Sequence, residues 1–172
     1  MTALLQPLLD NPSISRIRRN HGLEHASIHV LSQKNARRSI AGHSDAGGFW
    51  LFGDLTQEEV LGAVQEALQR LRAGERSLAI HPNCGTNLVT SGMAAGLAGA
   101  LAMSGASSRR ERFERIPLAG MLATAALLLA RPLGTRIQQR FTTSGDPGNL
   151  EVVEIRHSQR GNLKAFRVVT RG

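Results

Sequence analysis

The chain has 172 residues, with 21 Lys+Arg against 13 Asp+Glu for a formal charge of +8, and 41% of its residues are hydrophobic. That apolar share excludes a disordered chain, and the length admits one ordinary domain or a small domain with a membrane hairpin. The single cysteine excludes an intramolecular disulfide and agrees with a reducing, cytosol-facing environment.

The first ten residues lack the basic start of a signal peptide, and Pro7 interrupts their short apolar run. They read as an apolar arm lying on a surface. Asn11-Pro12 pairs an N-cap residue with proline at the first helical position, so the sequence predicts a helix over residues 12–33. Ile14, Ile17, His21, His25 and Ile28 fall on one stripe of that helix, with Glu24 and Leu31 on one flank and His29 on the other. Residues 38–53 read as a β-hairpin that turns through His43–Gly48. Thr56-Gln-Glu-Glu59 is a capping box opening a helix to about Ala73, and Gly74 ends it.

The composition then shifts. Residues 85–108 carry no charge, and Gly92 and Gly96 have the small-xxx-small spacing that lets helices approach closely. Residues 109–115 read as a charged loop, and Ile116–Ala130 is a second uncharged run. The length rule favours two membrane spans over two buried core helices. Leu150–Ile155 and Leu163–Thr170 read as a second hairpin, turning at Gln159–Asn162, that joins the first in one sheet.

The expected architecture is therefore α+β. A small cytosol-side domain holds two amphipathic helices and two β-hairpins, and a two-helix transmembrane hairpin anchors it. Its segments are residues 1–84, 85–133 and 134–172. Six arginines flank the two runs (Arg70, Arg72, Arg76, Arg131, Arg136 and Arg140) against four in the loop, which puts both ends in the cytoplasm. The expectation is an integral membrane protein with most of the chain cytoplasmic and the lipid bilayer as partner. Gly92 and Gly96 would pack within the hairpin, against another copy or against another membrane protein. Lys and Arg are spread along the chain, nine in residues 1–85, four in 86–130 and eight in 131–172. Trp50 and five scattered Phe offer no stacking pattern. Both features argue against nucleic acid as a partner.

Chemistry concentrates in His21-Gly-Leu-Glu24-His25. Histidines at i and i+4 lie about 6 Å apart along one helix face, where both can bind one metal ion. Glu24 beside them can act as a general base, and His-x-x-Glu-His is the inverted zinc-protease order. His81-Pro-Asn-Cys84 adds a second pair at metal-ligand spacing. His21, His25, His81 and Cys84 together form a nitrogen–sulfur set that zinc prefers. Hydrogen-bonded core histidines and a small buried cysteine are the plain structural alternatives.

His-Gly-x-Glu-His-x-x-Ile at 21–28, the helix start near 56–60 and His-Pro-x-Cys-Gly-Thr at 81–86 before an apolar helix resemble the YqhQ-like bacterial membrane proteins. The match covers about residues 20–105. The resemblance implies a metal-dependent enzyme with His21, Glu24, His25, His81 and Cys84 as its site. This chain is shorter than that family, and its His29 has no counterpart there. His29 and His43 stand as auxiliary polar residues, and His43 also fits a plain exposed histidine. Four bound ligands would close a structural zinc sphere, whereas three would leave a position for chemistry.

The functional expectation is a membrane-anchored, zinc-dependent hydrolase, peptide bond first, with Glu24 as base. The alternatives are a membrane scaffold with a structural metal, and a haem- or pigment-binding membrane subunit. Gly47-Gly48 lacks the remainder of a phosphate loop.

Overall fold

Asn11 starts the first long helix: its side-chain oxygen accepts from the backbone N–H groups of Ser13 and Ile14, and Pro12 fills the first helical position. This helix is α2, Pro12–Lys34. The fold is a computed structural model that describes residues 2–160 and 163–172. The N-terminal apolar arm is itself helical, as α1, Thr2–Leu9. By its internal contacts the chain divides into two units, Met1–His81 with Gln139–Gly172, and Pro82–Gln138.

The first unit is α+β. Its first hairpin pairs β1, Ala41–Asp45, with β2, Gly48–Phe52. A capping box follows, in which Thr56 accepts from the Glu59 N–H while Glu59 accepts from the Thr56 N–H. It opens α3, Gln57–Arg72. A 3-10 turn at Arg76–Ala79 leads into His81. Later in the chain, β3, Glu151–Arg160, pairs with β4, Leu163–Arg171. Gly161 and Asn162 of the expected turn lie outside the described residues. The two hairpins do join in one antiparallel sheet of order β1-β2-β4-β3.

The two-residue period of the strands decides what this sheet buries. Phe49 faces Val168 and Leu51 faces Phe166 across β2 and β4, and all four are buried. They form one core with Leu23 and Val30 of α2 and Val60 and Val64 of α3. Trp50, Phe52 and Arg167 take the alternate positions, with the Arg167 guanidinium 5.5 Å from the Trp50 ring. α2 thus lies with one side on the sheet and another toward the 3-10 turn, and this orientation positions the candidate site.

The second unit is helical: α4, Gly85–Met103, then α5, Arg109–Leu129, then α6, Arg131–Ile137. Gly134 lets α6 press on α4, since a Cβ there would stand 2.9 Å from the Cα of Asn87. The expected charged loop at 109–115 is helical and forms the first turns of α5, capped by the Ser108 hydroxyl. Many large apolar side chains of this unit are exposed, among them Leu97, Leu101, Met121 and Leu129. A Cβ added at Gly92 or Gly96 would meet nothing within 4 Å, so neither makes a close helix contact inside the hairpin; Gly99 comes nearest, at 3.9 Å from Ala123.

The transmembrane hairpin is overturned. Among the described residues, no single helix is long and apolar enough to cross a membrane. A span needs about 20 consecutive apolar residues. α5 spends its first two turns on Arg109, Arg110, Glu111, Arg112, Glu114 and Arg115. α4 dilutes its apolar character with Gly, Ser, Thr and Asn. Only by joining α5 to the next helical segment across a 42° bend, Arg109–Leu129 with Arg131–Thr142, does the chain reach that length and apolarity. The integral-membrane placement falls with the two spans. So does the cytoplasmic orientation drawn from the charges around them.

Candidate metal centre

Three histidines recur every fourth residue on α2, so each imidazole is rotated about 40° from the last and raised about 6 Å. The His21 and His25 rings are in contact, with centroids 4.4 Å apart. His81 arrives from the chain after the 3-10 turn, its ring centroid 5.7 Å from that of His25 and 4.9 Å from that of His29. The structure therefore gathers His21, His25, His29 and His81 into one cluster. His25 is buried and the other three are half-buried.

The backbone fixes the tautomers. His21 Nδ1 lies 2.9 Å from the Thr142 carbonyl oxygen, and His25 Nδ1 lies 2.8 Å from that of Ala79. A carbonyl only accepts, so Nδ1 carries the proton in both rings and the neutral imidazole presents Nε2 as its lone pair. This is the outer-shell arrangement that orients metal-ligating histidines. His29 is held the other way: its Nε2 donates to the Ile80 carbonyl at 2.9 Å, leaving Nδ1 as the lone-pair nitrogen. Burial foremost, and then repulsion between its protonated form and the neighbouring His29 and His25, lower the pKa of His81 to about 4, so its ring is neutral at ordinary pH.

Two glycines make this packing possible. A Cβ on Gly22 would stand 2.0 Å from the Ser144 carbonyl oxygen and 3.3 Å from the Ala79 Cβ. Glycine there lets residues 142–144 lie against α2, where the Ser144 N–H donates to the Arg18 carbonyl at 2.9 Å. That strap brings the Thr142 carbonyl to His21. Arg18 secures it from the other side by donating to the carbonyls of Arg140 and Thr143.

Gly42 of β1 has a similar role toward Glu24. A Cβ on it would stand 2.3 Å from Glu24 Oε1. The Glu24 carboxylate is buried on the β1 side of α2. One turn earlier, Asn20 holds helix to sheet: it donates to the Asp45 carbonyl at 2.8 Å and accepts from the Thr170 hydroxyl at 2.7 Å.

Cys84 is buried and sits at the N-cap of α4, three residues after His81. The ligand atoms of His21, His25 and Cys84 lie within 4.8 Å of one another, a group that could hold a metal ion. Glu24 and His81 do not belong to that group of mutually close atoms. His43 lies elsewhere, exposed on β1 opposite Trp50. Sequence reasoning missed Gly22, Gly42 and the carbonyls of Thr142, Ala79 and Ile80. A glycine inside a strongly helical pattern was the available signal, because it costs about 1 kcal/mol against alanine and so marks close packing.

A family model described as a domain of unknown function (DUF6391) matches residues 16–155. An uncharacterized protein of the cyanobacterium Picosynechococcus sp. is 36% identical over 162 residues, covering 87% of this chain and 77% of that protein. No solved structure matches. None of these findings bears on the YqhQ-like resemblance.

Proposed function

The chain belongs to the DUF6391 family, and we propose that it is a zinc-dependent hydrolase with His21, His25 and Cys84 as its ligands. The observation that carries the reading is the convergence of these three ligand atoms within 4.8 Å, on imidazoles already turned by backbone carbonyls. Two nitrogens and a thiolate suit zinc better than the oxygen-seeking cations. Three protein ligands leave a fourth tetrahedral position, the pattern of catalytic rather than structural zinc. Bound there, zinc would supply Lewis acidity toward a carbonyl and activate water near neutral pH.

The chain's own residues do the rest. The Thr142 and Ala79 carbonyls hold the two imidazoles in the tautomer that leaves Nε2 for the metal. Burial keeps Cys84 out of bulk water. Glu24, one residue before His25, is the carboxylate that the motif offers to accept the proton of the attacking water, and because it packs toward Gly42 of β1 it takes that role only by turning from β1 to the ligand face. A peptide bond is the first substrate class to test.

The experiment is turnover of a mixed fluorogenic peptide set by the zinc-loaded protein. Activity should be lost on chelation, restored by zinc and abolished in Glu24→Gln with zinc retained. Undiminished turnover in zinc-loaded Glu24→Gln would refute Glu24 as base, and chelator-insensitive turnover would refute a metal mechanism.

A second reading has an observation of its own, the His81 ring beside His25. If His81 completes the sphere, the zinc is structural. The visible spectrum of the cobalt-substituted protein separates the two. Exogenous azide or cyanide should perturb a centre with an open position and leave a closed one unchanged.

A further inference from the structure

The histidine row continues beyond the three ligands. His29 stands one helical turn past His25, half-buried, with its Nε2 proton committed to the Ile80 carbonyl and its Nδ1 lone pair on the other side of the ring. Its ring contacts that of His81 at 4.9 Å, and the His81 ring in turn lies 5.7 Å from the buried His25. Four imidazoles thus form a row, His29–His81–His25–His21, with the buried His25 inside it, and only two of them are needed with Cys84 to make the proposed centre. A core with no use for polar side chains would fill these helix positions with leucine or isoleucine, which bury at no polar cost.

We propose that His29 and His81 form an outer transit position, which a divalent cation such as zinc occupies on its way to and from the buried ligands. The inference rests on the metal-centre reading and adds a route to it. The physical need is clear. A bare divalent ion loses far too much hydration free energy to enter a buried site in one step. Successive imidazoles let it exchange one donor at a time, water for His29, then His81, then His25, so that it stays coordinated throughout. The two outer rings offer imidazole nitrogen donors suited to the same borderline metals as the inner set. A transit position lies on the path in both directions. Weakening it therefore slows arrival and departure by one factor and leaves the equilibrium between free and bound ion unchanged.

The test uses metal-free full chain and zinc ions. Uptake is followed by stopped flow against a chromophoric chelator, and removal is followed with excess chelator. His29→Gln removes the imidazole lone pair while its amide N–H can still donate to the Ile80 carbonyl. His29→Ala, read beside its circular dichroism, guards against a packing fault particular to glutamine. The expected result is uptake and removal both slower by about tenfold, the scale on which residues around a metal site act, with final zinc content and affinity equal to wild type. Unchanged rates overturn the transit position. So does weaker affinity at an unchanged uptake rate, which would make His29 a ligand of the inner ion. A wild type that takes up no zinc overturns the metal centre itself, and the transit position with it.

Discussion

Replacing Gly22 with alanine sets two physical effects against each other. Alanine is the better helix former by about 0.5–1 kcal/mol, so propensity alone predicts stabilisation. The new Cβ would stand 2.0 Å from the Ser144 carbonyl oxygen, where real Cβ atoms keep beyond 3.0 Å, so the strap must retreat by about 1 Å. Its obstacle is backbone, which yields less readily than the tip of a side chain. Overpacking of this kind costs about 1–3 kcal/mol. The retreat also pulls the Thr142 carbonyl from His21 and the Ser144 N–H from Arg18, both held at 2.9 Å. Each such hydrogen bond is worth about 1 kcal/mol. The net is a destabilisation of about 3 kcal/mol, seen as a lower urea midpoint at unchanged slope. Losing the carbonyl that orients His21 should also weaken zinc affinity by about 10–100-fold, measured by chelator competition. A Gly22→Ala protein more stable than wild type, with zinc affinity intact, would refute the reasoning.

Gly42→Ala drives a Cβ into the Glu24 carboxylate, so it should cost about 1–3 kcal/mol in urea unfolding. Adding Glu24→Ala should recover at least about 0.5 kcal/mol of that cost in a double-mutant cycle, and additive effects would place the strain elsewhere. Thr56→Ala removes the α3 capping box and should cost about 1 kcal/mol, a fall of roughly 2–4 °C in thermal midpoint. The Arg167 guanidinium foremost, against the opposing effect of burial, holds the Asp45 carboxyl below its ordinary 3.8. A lowered carboxyl pKa gives stability that is present above the unfolded value and lost as pH falls through the folded one. Urea midpoints should therefore drop below about pH 4 in wild type and drop less in Asp45→Asn. The difference should stay under about 1 kcal/mol, because the pair is partly exposed.

Local rules made α2, α3 and both hairpins legible in the sequence, since Asn11-Pro12, the Thr56–Glu59 box and strand alternation act over a few residues. The joining of the hairpins was also readable, because a lone hairpin has nowhere to bury Phe49, Leu51, Phe166 and Val168. The apolar segments misled for a reason of scale. Counting uncharged residues says nothing of where a helix begins, and Ser108 caps α5 ahead of six charges that the sequence reading had set aside as a loop. At the site, spacing alone brought out His21, His25, His81 and Cys84, of which the ligand atoms of His21, His25 and Cys84 converge within 4.8 Å. The carbonyls that orient the rings carry no side-chain signature, and the strap that supplies one of them comes from residues more than a hundred positions away. Glu24 shows the same limit. Adjacency to His25 placed it near the histidine face, while its carboxylate packs toward β1, where Gly42 makes room.

The central claim is that these side chains hold a metal ion, and elemental analysis of the purified protein tests it most directly. The expected result is about one zinc per wild-type chain, near-complete loss in His25→Ala and in Cys84→Ala, and retention in His43→Ala. Folded wild type without bound metal after zinc loading, or His25→Ala with wild-type zinc content, would contradict it.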